Sequence, residues 1–196
     1  MGKFREFLLG EYNDLGRALQ KPELVKSLTI NLPENLNDYG AEFARFTKLQ
    51  SLDIQTKIDH LSYIPEQIGN LKQLKRLSIL NVPFLEYPEW IFGLINLEYL
   101  RVRGCEITTV PYGIRNLSKL KTLRIENCEL NVIPPGLKEM QNIFYLSLTD
   151  TKIKAINVED LPPNLRVLNI NMTHIDYSTL QKIKKSRPEL KFDRVD

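Results

Sequence analysis

The sequence predicts an α/β solenoid, in which short parallel strands stack side by side and each returns through a brief helical turn. Two observations predict it. An apolar-x-x-Leu-x-apolar unit occurs seven times: VKSLTI at 25, LQSLDI at 49, LKRLSI at 74, LEYLRV at 97, LKTLRI at 120, IFYLSL at 143 and LRVLNI at 165. Successive starts lie 24, 25, 23, 23, 23 and 22 residues apart. A second beat runs in phase, with Ile-Pro-Glu-Gln-Ile at 64, Tyr-Pro-Glu-Trp-Ile at 87, Val-Pro-Tyr-Gly-Ile at 110 and Ile-Pro-Pro-Gly-Leu at 133. One such unit cannot bury its inward side chains. Stacked copies build a parallel sheet and one continuous core.

The elements come in chain order. Phe4, Phe7, Leu8, Leu15 and Leu19 fall on one helical face and Pro22 stops it, so residues 3–20 are expected to form a helix within an N-terminal cap, 1–23. Seven repeats occupy 24–173, each opening on a strand. Proline lacks an N–H and fixes φ, which suits the start of the return segment. Short helical or 3₁₀ turns are expected there. The repeat beginning at 49 carries two extra residues before its proline, in QTKIDHLSY. Residues 174–196 form a C-terminal cap, with a helix from Tyr177 to about Lys185 and an extended Leu190-Lys191-Phe192 closing the core. The expectation is one domain, 1–196, with a helical cap at each end.

This pattern resembles the leucine-rich repeat over roughly residues 24 to 173. Its subtype looks like the intracellular 23-residue class of plant Ras-group and many bacterial repeat proteins. The resemblance implies a horseshoe with the sheet on its concave face and the turns on its convex side. It also implies a non-enzymatic recognition role or scaffold. In this family the ninth position of each repeat holds an inward polar residue bonded to the backbone. Here that position reads Val82, Cys105, Cys128, Thr151 and Thr173. Cys105 and Cys128 should stack on adjacent coils about 4.8 Å apart, a spacing that also tolerates a disulfide. The favoured expectation is two buried thiols acting as rungs of a ladder, since buried Cys behaves as a small hydrophobe.

Composition narrows the function. The net charge of +3 from 27 basic and 24 acidic residues is too small to point to nucleic acid. No stretch approaches the ~20 apolar residues of a membrane helix. Two cysteines make no disulfide framework, and the N-terminus makes a poor signal peptide, so a reducing cytoplasm is the simplest location. A secreted chain restarted on an added Met stays open, with Asn116-Leu117-Ser118 and Asn171-Met172-Thr173 as glycosylation acceptors. The sequence holds no phosphate-binding glycine loop, C-x-x-C, H-E-x-x-H or G-x-S-x-G. His60 and His174 lie five repeats apart, about 24 Å at the strand spacing, too far to share a metal. No enzyme, cofactor or metal site is expected.

Function is therefore expected on the outward positions of the strands. Alternation turns Arg76, Arg101, Arg103 and Arg124 out of the core. Tyr99, Tyr145 and Phe144 border them. Arg101 and Arg124 are expected side by side, a like-charge pair that costs stability, and Glu126 next to Arg103 is expected to offset part of that cost. Arg and Tyr on a rigid surface are residue types of binding hot spots. Guanidinium groups match carboxylates and phosphates, so the expected partner is a protein with an acidic or phosphorylated surface. Two other readings stand beside this. One is RNA or a phosphorylated ligand on the same arginines. The other is substrate recognition within a larger effector, because Leu161-Pro162-Pro163-Asn164-Leu165 resembles the repeats of bacterial effector ubiquitin ligases. On the convex side, Trp90, Phe92 and Tyr112 either form an apolar patch for a partner or homodimer, or cover the glycines of neighbouring coils. The basic LQKIKKSR run reads as a solvated capping helix.

Overall fold

A computed structural model describes residues 9–32, 36–56 and 64–193. Nine strands form a single parallel sheet in chain order: β1 (Glu11–Tyr12), β2 (Ser27–Leu32), β3 (Ser51–Thr56), β4 (Arg76–Leu80), β5 (Tyr99–Cys105), β6 (Thr122–Cys128), β7 (Tyr145–Ser147), β8 (Val167–Asn169) and β9 (Lys191–Phe192). Leu28, Leu52, Leu77, Leu100, Leu123, Leu146 and Leu168 pair along one line across the sheet, and all are fully buried. A one-residue slip in any strand would turn its leucine to solvent, so burial fixes the register.

Each middle coil leaves its strand through a residue with positive φ at the eighth position: Asn81 (57°), Gly104 (69°), Asn127 (49°), Asp150 (56°) and Met172 (56°). Asn, Asp and Gly tolerate this left-handed conformation. Met172 does not, and carries strain. The turn sends the ninth residue inward, so Val82, Cys105, Cys128 and Thr151 are buried.

On the return side, Pro65, Pro88, Pro111 and Pro134 each precede a 3₁₀ turn, at Glu66–Asn70, Glu89–Gly93, Tyr112–Asn116 and Pro135–Glu139. Each turn buries one apolar residue: Ile68, Ile91, Ile114 and Leu137. The convex layer is thus built of short turns and holds no long helix among the described residues. Carboxamides at the residue before the strand unit staple coil to coil. Gln73 donates to the Phe46 carbonyl at 2.7 Å, Asn96 to that of Lys72 at 2.8 Å, Asn142 to that of Ser118 at 2.7 Å and Asn164 to that of Gln141 at 2.8 Å.

The N-terminal expectation needs correcting. Phe4, Phe7 and Leu8 lie outside the described residues. From residue 10 to residue 20 the chain forms no continuous helix. Gly10, with φ of 68°, turns the chain, and its carbonyl accepts the Lys26 and Ser27 amides at 2.8 and 3.0 Å. Glu11 and Tyr12 then pair with Ser27 and Leu28 as β1. Only Leu15–Ala18 is helical (α1), capped by the Asp14 carboxylate on the Arg17 amide. Docking here pairs backbone groups along the otherwise open edge of β2.

At the other end, Asp176 caps α2 (Tyr177–Ser186), and β9 comes after it on the sheet. Arg187, just past α2, donates to three carbonyls of the last coil: Pro162 at 2.6 Å, Val158 at 3.2 Å and Leu161 at 3.3 Å. The basic residues of α2 are exposed. His174 is exposed too, and His60 lies outside the described residues.

A candidate recognition site on the concave face

Strand alternation places residues 99, 101, 103, 122, 124, 126, 145, 147 and 149 on the outward face of neighbouring coils. Register then sets Tyr99 opposite Arg76, Arg101 opposite Arg124 and Arg103 opposite Glu126. Like charges directly opposed destabilise a sheet, so the Arg101–Arg124 pair needs a counter-charge. The structure supplies it in Glu126. Arg101 reaches its Oε2 through Nε at 3.0 Å and Nη2 at 2.9 Å, while Arg124 Nε reaches Oε1 at 2.7 Å. Glu126 thus offsets the Arg101–Arg124 repulsion by direct bonds to both arginines. Arg103 is exposed and makes no hydrogen bond or ion pair among the described residues.

Glu126 is 6% exposed, on a face expected to be open. Burial alone would push its carboxyl up. Hydrogen bonds from Arg124 and Ser147, with the charges of Arg124 and Arg101, outweigh that and hold it below the ordinary value. Ser147 Oγ donates to Glu126 Oε1 at 2.8 Å and lies 3.1 Å from the Thr149 hydroxyl, which donates to Asn169 Oδ1 at 2.8 Å. Asn169 continues to Asp193, which also accepts from the Tyr145 hydroxyl at 2.9 Å. One polar chain thus runs from β5 past β9. Sequence reasoning missed it, although Ser147, Thr149, Asn169 and Asn171 sit in phase at two strand positions.

Two tyrosines serve as platforms. The Arg76 guanidinium lies 3.7 Å from the Tyr99 ring centroid, and that of Arg124 lies 5.6 Å from Tyr145, each a cation–π contact. Burial and then Asp193 push the Tyr145 phenol up. Phe144 precedes β7, is exposed, and has no ring or cation contact with the arginines among the described residues. Beside Arg101, Arg103 and Arg124 opens a cleft of about 520 Å³, whose far rim includes Asn127, Asp150 and Met172.

The ninth-position residues behave in two ways. Thr151 and Thr173 donate to the carbonyls of Leu148 and Ile170, at 2.8 and 2.7 Å. These acceptors are the first residues past β7 and β8, where the chain leaves each strand. Cys105 and Cys128 pair across β5 and β6 with Cα atoms 4.9 Å apart, and the structure joins them in a disulfide. The expectation of separate thiols is corrected, because in-register parallel pairing brings the sulfurs of neighbouring coils together.

On the convex side the aromatic residues are occupied. Phe92 stacks on Tyr87 at 5.4 Å and covers Gly113, where a Cβ would lie 2.7 Å from the ring. Trp90 is half-buried over Gly69. Tyr112 bonds to Glu139 and lies beneath Arg115, whose guanidinium is 4.2 Å from its centroid. The three rings seal coil to coil and do not form one open apolar patch. No group of three or more potential metal ligands occurs among the described residues, and no helix there is long and apolar enough to cross a membrane.

A stacked parallel sheet, 3₁₀ returns and one leucine line define a leucine-rich repeat protein. The leucine-rich repeat region family matches residues 24–191, and the chain belongs to it. Among solved structures it is similar to a leucine-rich repeat protein of Leptospira interrogans, with a TM-score of 0.70 and 21% identity over 94% of this chain. It is also similar to the leucine-rich repeat domain of the type III effector XopL, with a TM-score of 0.59 and 22% identity over 80% of this chain. The chain spans 54% of the first and 63% of the second. At such identities the likeness is one of fold. No curated protein matches the chain in sequence.

Proposed function

We propose that the protein is a non-enzymatic recognition module that binds an acidic or phosphorylated protein partner on its concave face. The leucine-rich repeat fold supports protein interaction in general. The observation that carries this reading is the arginine cluster, in which Arg101 and Arg124 are held by one buried carboxylate and Arg103 has no hydrogen bond or ion pair among the described residues. The two held guanidiniums lose little side-chain entropy on binding.

The test is capture from source-cell lysate by the wild-type chain and by Arg101→Glu/Arg103→Glu/Arg124→Glu, with circular dichroism confirming the fold. A protein retained by the first and lost by the second is expected. Equal retention would sink the concave reading. A second reading, substrate recognition within a larger effector, draws on the likeness to an effector domain. It predicts that the same variant abolishes recruitment of a target while leaving the rest of the assembly intact.

A further inference from the structure

We propose that the group seated between Arg101, Arg103 and Arg124 is the phosphoryl dianion of a phosphoserine or phosphothreonine in an extended peptide. This deepens the recognition reading above and rests on it. Glu126 occupies only part of each guanidinium. It takes Nε and Nη2 of Arg101 and Nε of Arg124. Nη1 of Arg101 and both Nη groups of Arg124 bond to no other group among the described residues and stay available as donors on the outer edge. Arg103, the next outward residue after Arg101 on the same strand, adds a guanidinium with no hydrogen bond or ion pair among the described residues.

The donors favour a phosphoryl group. Three guanidiniums and the carboxylates of Glu126 and Asp150 are the charged lining groups, so the cleft stays net positive, and the arginine donors left over from Glu126 exceed what one further carboxylate could accept. A phosphoryl group brings up to two negative charges and three acceptor oxygens, enough for three guanidinium groups. A carboxylate brings one charge and two oxygens, and Glu126 already fills that role internally. The rim suits a peptide. Asn127 is exposed and can bond a peptide backbone, while the Met172 side chain, 74% exposed, offers an apolar contact on the same rim. Met172 also holds a strained φ of 56° at the cleft edge, and such strain gathers at binding sites.

The experiment uses fluorescence polarisation with three degenerate nonapeptide pools: one centred on phosphoserine and phosphothreonine, the same pool dephosphorylated, and one with Asp at the centre. The phosphorylated pool should bind at least tenfold tighter than the other two, and Arg103→Gln should lose about tenfold. Lowering the pH from about 7.5 to 5 should weaken it roughly tenfold, because a phosphomonoester with a second pKa of about 6 becomes a monoanion. Of the two carboxylates lining the cleft, Glu126 and Asp150, Glu126 is held below its ordinary value by the hydrogen bonds and charges of its neighbours, which outweigh its burial. Inorganic phosphate should compete only weakly, since it lacks the peptide contacts. Equal binding of the phosphorylated and Asp pools overturns the dianion while sparing an acidic partner. Binding of inorganic phosphate as tightly as the peptide overturns the peptide. Failure of every pool, with protein capture still dependent on the three arginines, overturns the inference and leaves the recognition reading standing. Capture that ignores the arginines overturns both.

Discussion

Glu126 shows what one buried carboxylate does for a charged surface. It turns a repulsive Arg101–Arg124 pair into a three-member cluster with Ser147 as a further donor. Its carboxyl is held below the ordinary 4.5, so its stabilisation is complete above that value and fades as pH falls toward the lower folded value. Glu126→Gln should therefore cost about 1–3 kcal/mol at neutral pH, the scale of a hydrogen bond to a charged group. Urea melts should show the gap between wild type and variant closing below about pH 4.5. At Met172 the sign is opposite. A non-glycine residue in the left-handed region costs about 1–2 kcal/mol, and Asn occupies the same place at 81 and 127. Met172→Asn should raise the melting temperature by about 1–4 °C. Alternation made the outward arginines legible in the sequence. Glu126 as a partial offset to the Arg101–Arg124 pair was legible too; which of the three arginines it would bond directly was not, because residues two apart on one strand compete with those directly opposite. Only side-chain reach decides that Glu126 turns to Arg101 and Arg124 and away from Arg103.

Elements are joined by contacts that the repeat pattern announces only in part. The strands, their leucine line and the proline-led turns are consequences of spacing, since each recurs in phase. The carboxamide staples were readable too, as Gln73, Asn96, Asn142 and Asn164 recur just before the strand unit. The N-terminal segment misleads because its apolar spacing fits a helix, whereas the open edge of β2 offers Tyr12 a place in the sheet. At the far end a single side chain fastens the cap. Arg187→Ala should cost about 1–3 kcal/mol through three orphaned carbonyls. Hydrogen exchange should show α2 and β9 opening before the remaining strands. The disulfide closes a loop with a sequence separation of 23, for which chain entropy gives about 3 kcal/mol. Cys128→Ser should lose about that much against oxidised wild type. With reductant present the two should converge, and a persistent gap would mean that packing at this site outweighs the crosslink.

Across the whole molecule stability is a sum of seams, because each coil touches little beyond its neighbours. One seam is built differently. Where β5 meets β6, Lys119 stands at the place that Gln73, Asn96, Asn142 and Asn164 fill in other coils. It reaches the Asn96 side chain at 2.6 Å instead of a backbone carbonyl. The disulfide and the Arg101–Glu126 pair cross at this same seam. β5 and β6 pair from Tyr99–Thr122 to Cys105–Cys128, a longer ladder than those that follow toward the C-terminus, so an array pulled from its ends should part in the last coils before this seam opens. Arg101 and Arg124 stand on its two sides. A ligand gripped by both acts as a splint across a joint already pegged.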